Sequence, residues 1–498
     1  MKKRLSKKQM IIFSVGQLGW SLLSGIIGTW LVTFFLPTAG AADMGAVQYL
    51  LPGLLGGFIT VIGLISALSR VFDAVTDPLI ASLSDRSTNK RGRRIPFMQV
   101  AAVPLTAVTI LLFCVDFGAY NAEFGWVNIL WVSVMIILFY LFMTMYCTPY
   151  NALISEFGKT QEDRMFISTS ISLTFFAGTL FAYLPFVFAG TGFGTELTPL
   201  AQAVGYAWSF RICFIVLAVI GCVCMLLPTF LLKEKDFVDA KPSRENVFKS
   251  MTSTFKNKDF RAFSLSDLMY WVGLTMFQTG LPYFVKVSMG FAQGFVMVFM
   301  GGMTVLSAVF YPFVTKLVKK FGKKKLVIAG FFGLALCYAI TAISSIPGFL
   351  PDEGAANGLS WVFALVVMVV AALPMALLGI IPQSIVADVA EAESKTTGEN
   401  REGMFFAART FAMKFGQSAA LVLFTSISLI DGVVKPEDPN SIYPAKIGML
   451  IAALVAVVFC VAGALIMFFY NEKKVMKTIA KKGDEEFLKA AEENNKDK

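Results

Sequence analysis

The chain has 498 residues, 56% of them hydrophobic and only 15% charged, with a mean hydropathy of +0.69, where ordinary globular proteins carry about 25% charged residues. That balance excludes a soluble multidomain protein, and 48 Phe together with 40 Gly lacking a triplet period exclude a disordered or collagen-like chain. The net charge of +10 comes without a single His, which removes the usual zinc and haem ligand, the Ser-His dyad and the neutral-pH switch, and leaves proton chemistry to carboxylates, Lys or Tyr.

A hydrocarbon core of about 30 Å takes roughly 20 helical residues. Twelve apolar stretches of about that length or more follow one another at 10–36, 52–84, 95–115, 126–154, 166–189, 205–232, 262–285, 292–315, 326–347, 360–387, 403–430 and 447–471. Backbone groups in lipid must be satisfied within the segment, so these stretches are expected to be helices. The seven cysteines lie inside or at the edge of the apolar runs and read as small buried hydrophobes, with no disulfide framework and no thiolate metal site.

With both termini on the cytoplasmic side, 36 of the 43 Lys and Arg fall in inner segments and only Lys286, Lys435 and Lys446 in outer loops. Arg70, Arg211, Arg409 and Lys414 lie in or beside the spans. The positive-inside rule therefore places both ends in the cytoplasm, and the charge belongs to topology and anionic lipid rather than to nucleic acid. The first stretch, followed by no small-residue cleavage site, reads as an uncleaved helix.

The chain also repeats. Gly92-Arg93-Arg94 after the second span and Gly322-Lys323-Lys324 after the eighth occupy equivalent places in two six-helix halves, joined by the charged segment 233–261. The expected organisation is a bundle over 1–232, a linker over 233–261, a second bundle over 262–471 and a charged tail over 472–498. Six plus six helices with a basic turn after the second of each half resemble the major facilitator superfamily.

A charge at the bilayer centre costs at least about 2.5–3.5 kcal/mol and needs a partner or a purpose. In the second span Arg70, Asp73 and Asp77 stand at i, i+3 and i+7, on one helical face. Two carboxylates one turn apart can offer oxygens to a hard cation such as Na⁺ or share a proton, so they read as a cation-dependent switch. In the eleventh span Thr410, Lys414 and Gln417 share a face, and Lys414 is read as a counter-ion to the two acids until a cation displaces it. Asp267 and Asp388 read as gating or interface acids. Polar residues before Glu156 in the fourth span, Thr144, Tyr146, Tyr150 and Asn151, surround Pro149 and can line a cavity. Asp85, Arg86, Arg93 and Arg94 resemble the superfamily's latch after the second helix. No Walker A motif exists, Leu153 standing where its first glycine would precede Gly158.

The stretches 70–86, 92–98, 385–391 and 398–418 resemble the melibiose permease-like glycoside-pentoside-hexuronide:cation symporters across essentially the whole chain. The resemblance implies that Asp73, Asp77 and Thr144 bind the coupling cation, with Lys414 nearby and Thr410 on the same helix. That family grips its sugar with acids on helices 1 and 4, a helix 4 tryptophan and a helix 5 arginine, and Ser21, Cys147, Asn151 and Ile171 stand at those places here. Gln17, Trp20, Tyr146, Tyr150 and Gln383 are the replacement candidates for a solute pocket, with Asn151, Arg409, Thr410 and Gln417.

The reading reached is an all-α integral membrane protein of the inner membrane, twelve helices in two pseudo-symmetric halves, importing a sugar-like solute with Na⁺ or H⁺ by alternating access. Arg70 and Lys414 would couple the two, and Asp85, Arg86, Arg93, Arg94 and Asp388 would gate. No cofactor beyond the coupling ion, no nucleic acid and no enzymatic activity are expected; lipid, solute and monovalent cation are the partners of a monomer. The alternatives are the same fold carrying a lipid-like or drug-like solute, and a non-transporting membrane sensor.

Overall fold

Apolar runs punctuated by capping residues set the helix starts. Ser6 opens the first helix in a capping box with Gln9, and Thr60, Thr160 and Asn257 accept from the backbone N–H of the third helical residue at three others. The structure is a computed structural model that describes residues 4–480 apart from 88, 90, 122, 159, 238–253, 398–401 and 437. Among the described residues twelve helices have twenty residues or more: α1 (Lys7–Phe35), α2 (Val61–Arg86), α3 (Ile95–Cys114), α4 (Gly125–Phe157), α5 (Gln161–Phe181), α6 (Tyr206–Leu231), α7 (Lys258–Tyr283), α8 (Phe295–Phe321), α9 (Lys323–Ser344), α10 (Gly358–Thr397), α11 (Glu402–Ile427) and α12 (Lys446–Met467). A short hairpin of β1 (Val433–Lys435) and β2 (Asp438–Tyr443), with an irregularity after Val434, joins α11 to α12.

Among the described residues nine of these helices are long and apolar enough to cross a membrane by length and composition. The other three, α2, α7 and α11, hold the interior charges, and they pack on one another, α11 lying between α2 and α7. Elsewhere α1 packs on α5 and α6, α3 on α4 and α6, α9 on α10 and α12, and α8 on α10. Helices α1–α6 thus associate mainly among themselves, as do α7–α12, and α2 against α11 is the principal seam between the two groups.

Several boundaries differ from the hydropathy reading. Helix α2 begins at Val61 rather than 52, because Gly53, Gly56 and Gly57 hold left-handed backbone and turn the chain first. Helix α10 runs ten residues beyond its apolar stretch, since good helix formers in the sequence up to Lys395 continue it. Beyond α7 a π-turn over Phe284–Ser288 carries Lys286 into a buried position, so this lysine is not the loop charge its place in the sequence suggested.

One device occurs twice. Gly92 and Gly322 both hold left-handed backbone, which lets the chain re-enter a helix around a carboxylate. Glu234, just after α6, accepts from the backbone N–H of Arg93, Arg94 and Ile95 at 2.8–3.0 Å. Glu472, just after α12, accepts from those of Lys323 and Lys324 at 2.7 and 3.0 Å. Each half so ties the start of its third helix to the end of its sixth, where exposed helical N–H groups favour an anion.

Candidate functional site

The ion pairs are built from the three charged helices. Asp73 and Asp77 sit one turn apart on α2 and face α4 and α11. Thr144 Oγ1 on α4 lies 2.8 Å from Asp73 Oδ1 and 3.1 Å from Asp77 Oδ1, and its single proton serves one of them at a time. Lys414 Nζ on α11 closes the other side, 2.8 Å from Asp73 Oδ2 and 2.6 Å from Asp77 Oδ2. Asp73, Thr144 and Lys414 are buried, whereas the Asp77 side chain keeps 31% exposure and forms the open edge of the group. Three oxygens converge on the Thr144 side, a donor set that suits a hard monovalent cation completed by water or solute. The ammonium of Lys414 is already a cation bound to both acids.

Arg70 does not pair with either aspartate. Its guanidinium lies 4.8 Å from the centre of the Tyr140 ring and its Nε has no hydrogen-bond partner. Arg70 and Lys414 nonetheless balance the two carboxylates in charge. One and a half turns before Lys414 on the same helix, Arg409 grips the buried Asp267 of α7 with two hydrogen bonds, at 2.9 and 3.1 Å. Arg409 is therefore spent inside the second half.

The remaining candidates scatter. Tyr146 and Tyr150 are fully buried, and their hydroxyls donate to the carbonyls of Met225 and Phe13 at 2.9 Å, so in this structure both rings are packed inside the first half rather than set on an open wall. The reason is packing: Gly16 of α1 abuts both rings and draws them into the first half. Gln17 is buried, Trp20 half-buried beside Phe175, and Asn151 and Gln383 are exposed. The Thr410 hydroxyl donates to the Phe406 carbonyl at 3.0 Å, and Gln417 Oε1 is buried without a partner.

Arg93 and Arg94 pair with Glu156 at 2.9 and 3.1 Å, and Lys323 pairs with Asp388 at 2.5 Å in the other half. Asp85 and Arg86 end α2, and their side chains lie outside the described residues. Near the same end Arg4 is hydrogen-bonded to Asp163 at 2.6 Å, and its guanidinium holds that carboxyl below the ordinary carboxylate range.

The bonds joining the two groups of helices are unevenly placed. Among the described residues they lie at the level of Lys414 or farther from the basic turns. Ser418 donates to the Ala67 carbonyl, Thr60 to Thr425, and Tyr283 to the Leu36 carbonyl. At the far end Lys286 bridges Thr38 at 2.9 Å and Glu353 at 2.8 Å, and Lys435 pairs with Asp43. Among the described residues the halves are thus bonded together at one end, and no bond between them is described at the other.

Sequence reasoning missed Glu156, Glu234, Glu472 and the pairs Lys286–Glu353 and Arg211–Asp116. A signal for two of them exists: a Glu-Lys pair stands just past the sixth apolar run of each half, at 234–235 and 472–473.

The sequence matches the family described as MFS/sugar transport protein over residues 12–473. It is 25% identical to the uncharacterized symporter YjmB of Bacillus subtilis (strain 168), over 94% of this chain and 92% of that one. It is 23% identical to a lactose permease of Lactobacillus helveticus, over 70% of this chain and 54% of the permease. It is also 23% identical to the sodium-dependent lysophosphatidylcholine symporter 1 of Xenopus tropicalis, over 100% of this chain and 92% of the relative. Among solved structures, a D-xylose-proton symporter superposes with a TM-score of 0.61 at 14% identity, covering 94% of this chain and 98% of the other.

Proposed function

The chain belongs to the MFS/sugar transport protein family, and from that premise we propose that it is a cation-coupled symporter importing a glycoside or another sugar-like solute by alternating access. Its fold, helical but for one short hairpin, is that of major facilitator transporters, multi-pass membrane proteins. Twelve membrane crossings, with both termini and the basic turns on the cytoplasmic side of the inner membrane, complete the reading. On that orientation the described bonds that join the halves lie from the level of Lys414 toward the outside.

The observation that carries the proposal is Lys414 of one half bound to both Asp73 and Asp77 of the other. A Na⁺ or H⁺ reaching Asp77 from its exposed edge competes with the ammonium for the same carboxylates. Taking the ammonium's place changes what holds α2 to α11, the main seam. A ligand moves a conformational equilibrium only by its differential affinity for the two states, and an ion that replaces a bridge between the halves has such a differential. Each charge carried inward then draws about 2.3 kcal/mol from 100 mV of membrane potential.

A second reading keeps the fold and the ion site and changes the cargo to an amphipathic lipid-like solute. It is favoured by the full-length likeness to the lysophosphatidylcholine symporter.

The test is lactose uptake into proteoliposomes under an imposed Na⁺ or H⁺ gradient. Wild-type protein should accumulate the sugar against its gradient, and Asp73→Asn and Asp77→Asn should only equilibrate it. Gradient-driven accumulation by both variants would reject the coupling role.

A further inference from the structure

A helix that touches lipid keeps apolar side chains exposed along one face, and a long basic side chain on that face belongs at the headgroup level. On α8 the exposed Val298, Val305, Val309 and Phe313 are followed by the exposed Lys316 and Lys320. Counted from Val298 these positions fall close to whole helical turns, so they share one face. The buried residues Met303, Ser307 and Val314 occupy the opposite side. Gly301 packs beside Leu180 of α5 and Gly302 beside Met368 of α10, and the exposed face looks out between those two neighbours.

The length of the face matches a membrane. At about 1.5 Å per residue, Val298 lies about 27 Å along the axis from Lys316, close to a hydrocarbon core of about 30 Å. The apolar stripe therefore runs the depth of the bilayer, and the two lysines emerge at its edge on the side of the basic turns.

The acids around this turn are already taken. Asp388 pairs with Lys323, and Glu472 accepts from the backbone N–H of Lys323 and Lys324. Lys324 Nζ donates to the carbonyls of Phe468 and Tyr470. Among the described residues Lys316, Lys319, Lys320 and Lys325 are exposed and have no acidic partner. Lys316 Nζ instead lies 5.9 Å from the centre of the Phe313 ring and Lys320 Nζ 5.2 Å from that of Phe321, and both rings are exposed. The donors of the two ammonium groups point to no protein acceptor, and at i, i+4 their stems stand about 5–6 Å apart, a gap that one phosphate bridges.

We propose that this face of α8 binds one anionic phospholipid, its phosphate held between Lys316 and Lys320 and an acyl chain laid along Phe313, Val309 and Val305. Positive charge near a membrane sets topology without any site. Here the charge stands at the end of an apolar track, on aromatic rings, at the depth where a lipid changes from chain to headgroup. A free phosphate would leave the track unused. A zwitterionic lipid would bring an ammonium to a turn whose described carboxylates are occupied. The site needs only that α8 spans the membrane and is independent of the coupling ion and the cargo.

The test is native mass spectrometry of the purified full chain, stripped of lipid in detergent and then offered dioleoyl phosphatidylglycerol or dioleoyl phosphatidylcholine at matched concentrations. The wild-type chain should hold one phosphatidylglycerol about thirtyfold more tightly than phosphatidylcholine, the preference that two lysines at a membrane surface supply. Lys316→Gln combined with Lys320→Gln should bring phosphatidylglycerol down to the level of phosphatidylcholine. Lys316→Arg combined with Lys320→Arg, which keeps both charges, should retain the preference. So should Lys7→Gln combined with Lys8→Gln, which removes two exposed charges at the start of α1.

Equal retention of the two lipids by the wild-type chain would overturn the proposal, as would wild-type retention in the glutamine pair on α8. An equal loss in the α1 pair would reduce the effect to general charge and overturn it, and so would a loss in the arginine pair. Excess inorganic phosphate should leave the lipid in place; its displacement would make free phosphate the ligand and reject the lipid.

Discussion

Lys414 is one cation held by two carboxylates, and removing it isolates them. Two aspartates one turn apart, with Asp73 buried, repel each other strongly once the ammonium is gone. Breaking a buried pair by deleting one partner costs on the order of 3 kcal/mol or more. Lys414→Ala should therefore melt well below wild type in Na⁺-free buffer at neutral pH. Na⁺ or acid, either of which neutralises one carboxylate, should restore most of the loss. The double variant Lys414→Ala with Asp77→Asn, which removes the repulsion at its source, should melt close to wild type without either. Melting curves across Na⁺ and pH check this, and a single variant whose melting ignores both would mean that the three groups do not act together. The same logic separates Lys414 from Arg409, whose single acid is held bidentately inside one half and leaves nothing for an ion to replace.

At the scale of an element, the glycine-and-glutamate clasps show how a half is closed on itself. A methyl group at Gly92 would lie 2.3 Å from Glu234 Oε2, against 3.1 Å from Glu472 Oε2 at Gly322, and both positions hold left-handed backbone. Gly92→Ala must displace the carboxylate from three backbone N–H groups, each costing about 1–3 kcal/mol if left buried and unpaired. Gly322→Ala meets backbone strain and a tight contact that a small shift relieves. Gly92→Ala should lower the melting temperature clearly more than Gly322→Ala, and equal melting temperatures would count against the clasp.

The basic turns that carry these glycines were visible in the sequence, because glycine followed by two cations recurs after the second helix of each half. Their carboxylate partners were not, since Glu234 and Glu472 lie more than a hundred residues away in sequence and meet the turns only through the helix packing. The meeting of Asp73 and Asp77 with Lys414 could be anticipated because charges in lipid must find one another, whereas Thr144 was placed beside them only by the family resemblance. The burial of Tyr146 and Tyr150 could not, because Gly16 decides it from another helix and no local pattern records that contact.

For the whole molecule, the uneven distribution of bonds between the halves makes the far end a latch. Lys286 is its buried centre, bound to Thr38 of the first half and Glu353 of the second, and Gly40 packs against the same glutamate. A neighbouring cavity among Trp30, Phe34, Tyr49 and Tyr283 is too small for a sugar, at about 40 Å³, so this end is shut in the present state. Lys286→Gln leaves Glu353 without its ammonium only where the halves are closed; once they part, water solvates the carboxylate. The closed state alone bears the cost, and a third of the few kcal/mol typical for a broken buried pair already shifts a two-state population about tenfold. A cysteine at Ala41, buried beside the latch, reports the change through its reaction with a membrane-impermeant maleimide. Reaction should be about tenfold faster in the Lys286→Gln background. Adding Glu353→Gln, which removes the stranded charge, should slow it again. Equal reaction rates in all three backgrounds would show that the far end is held by its aromatic and backbone contacts alone, with the lysine a passenger.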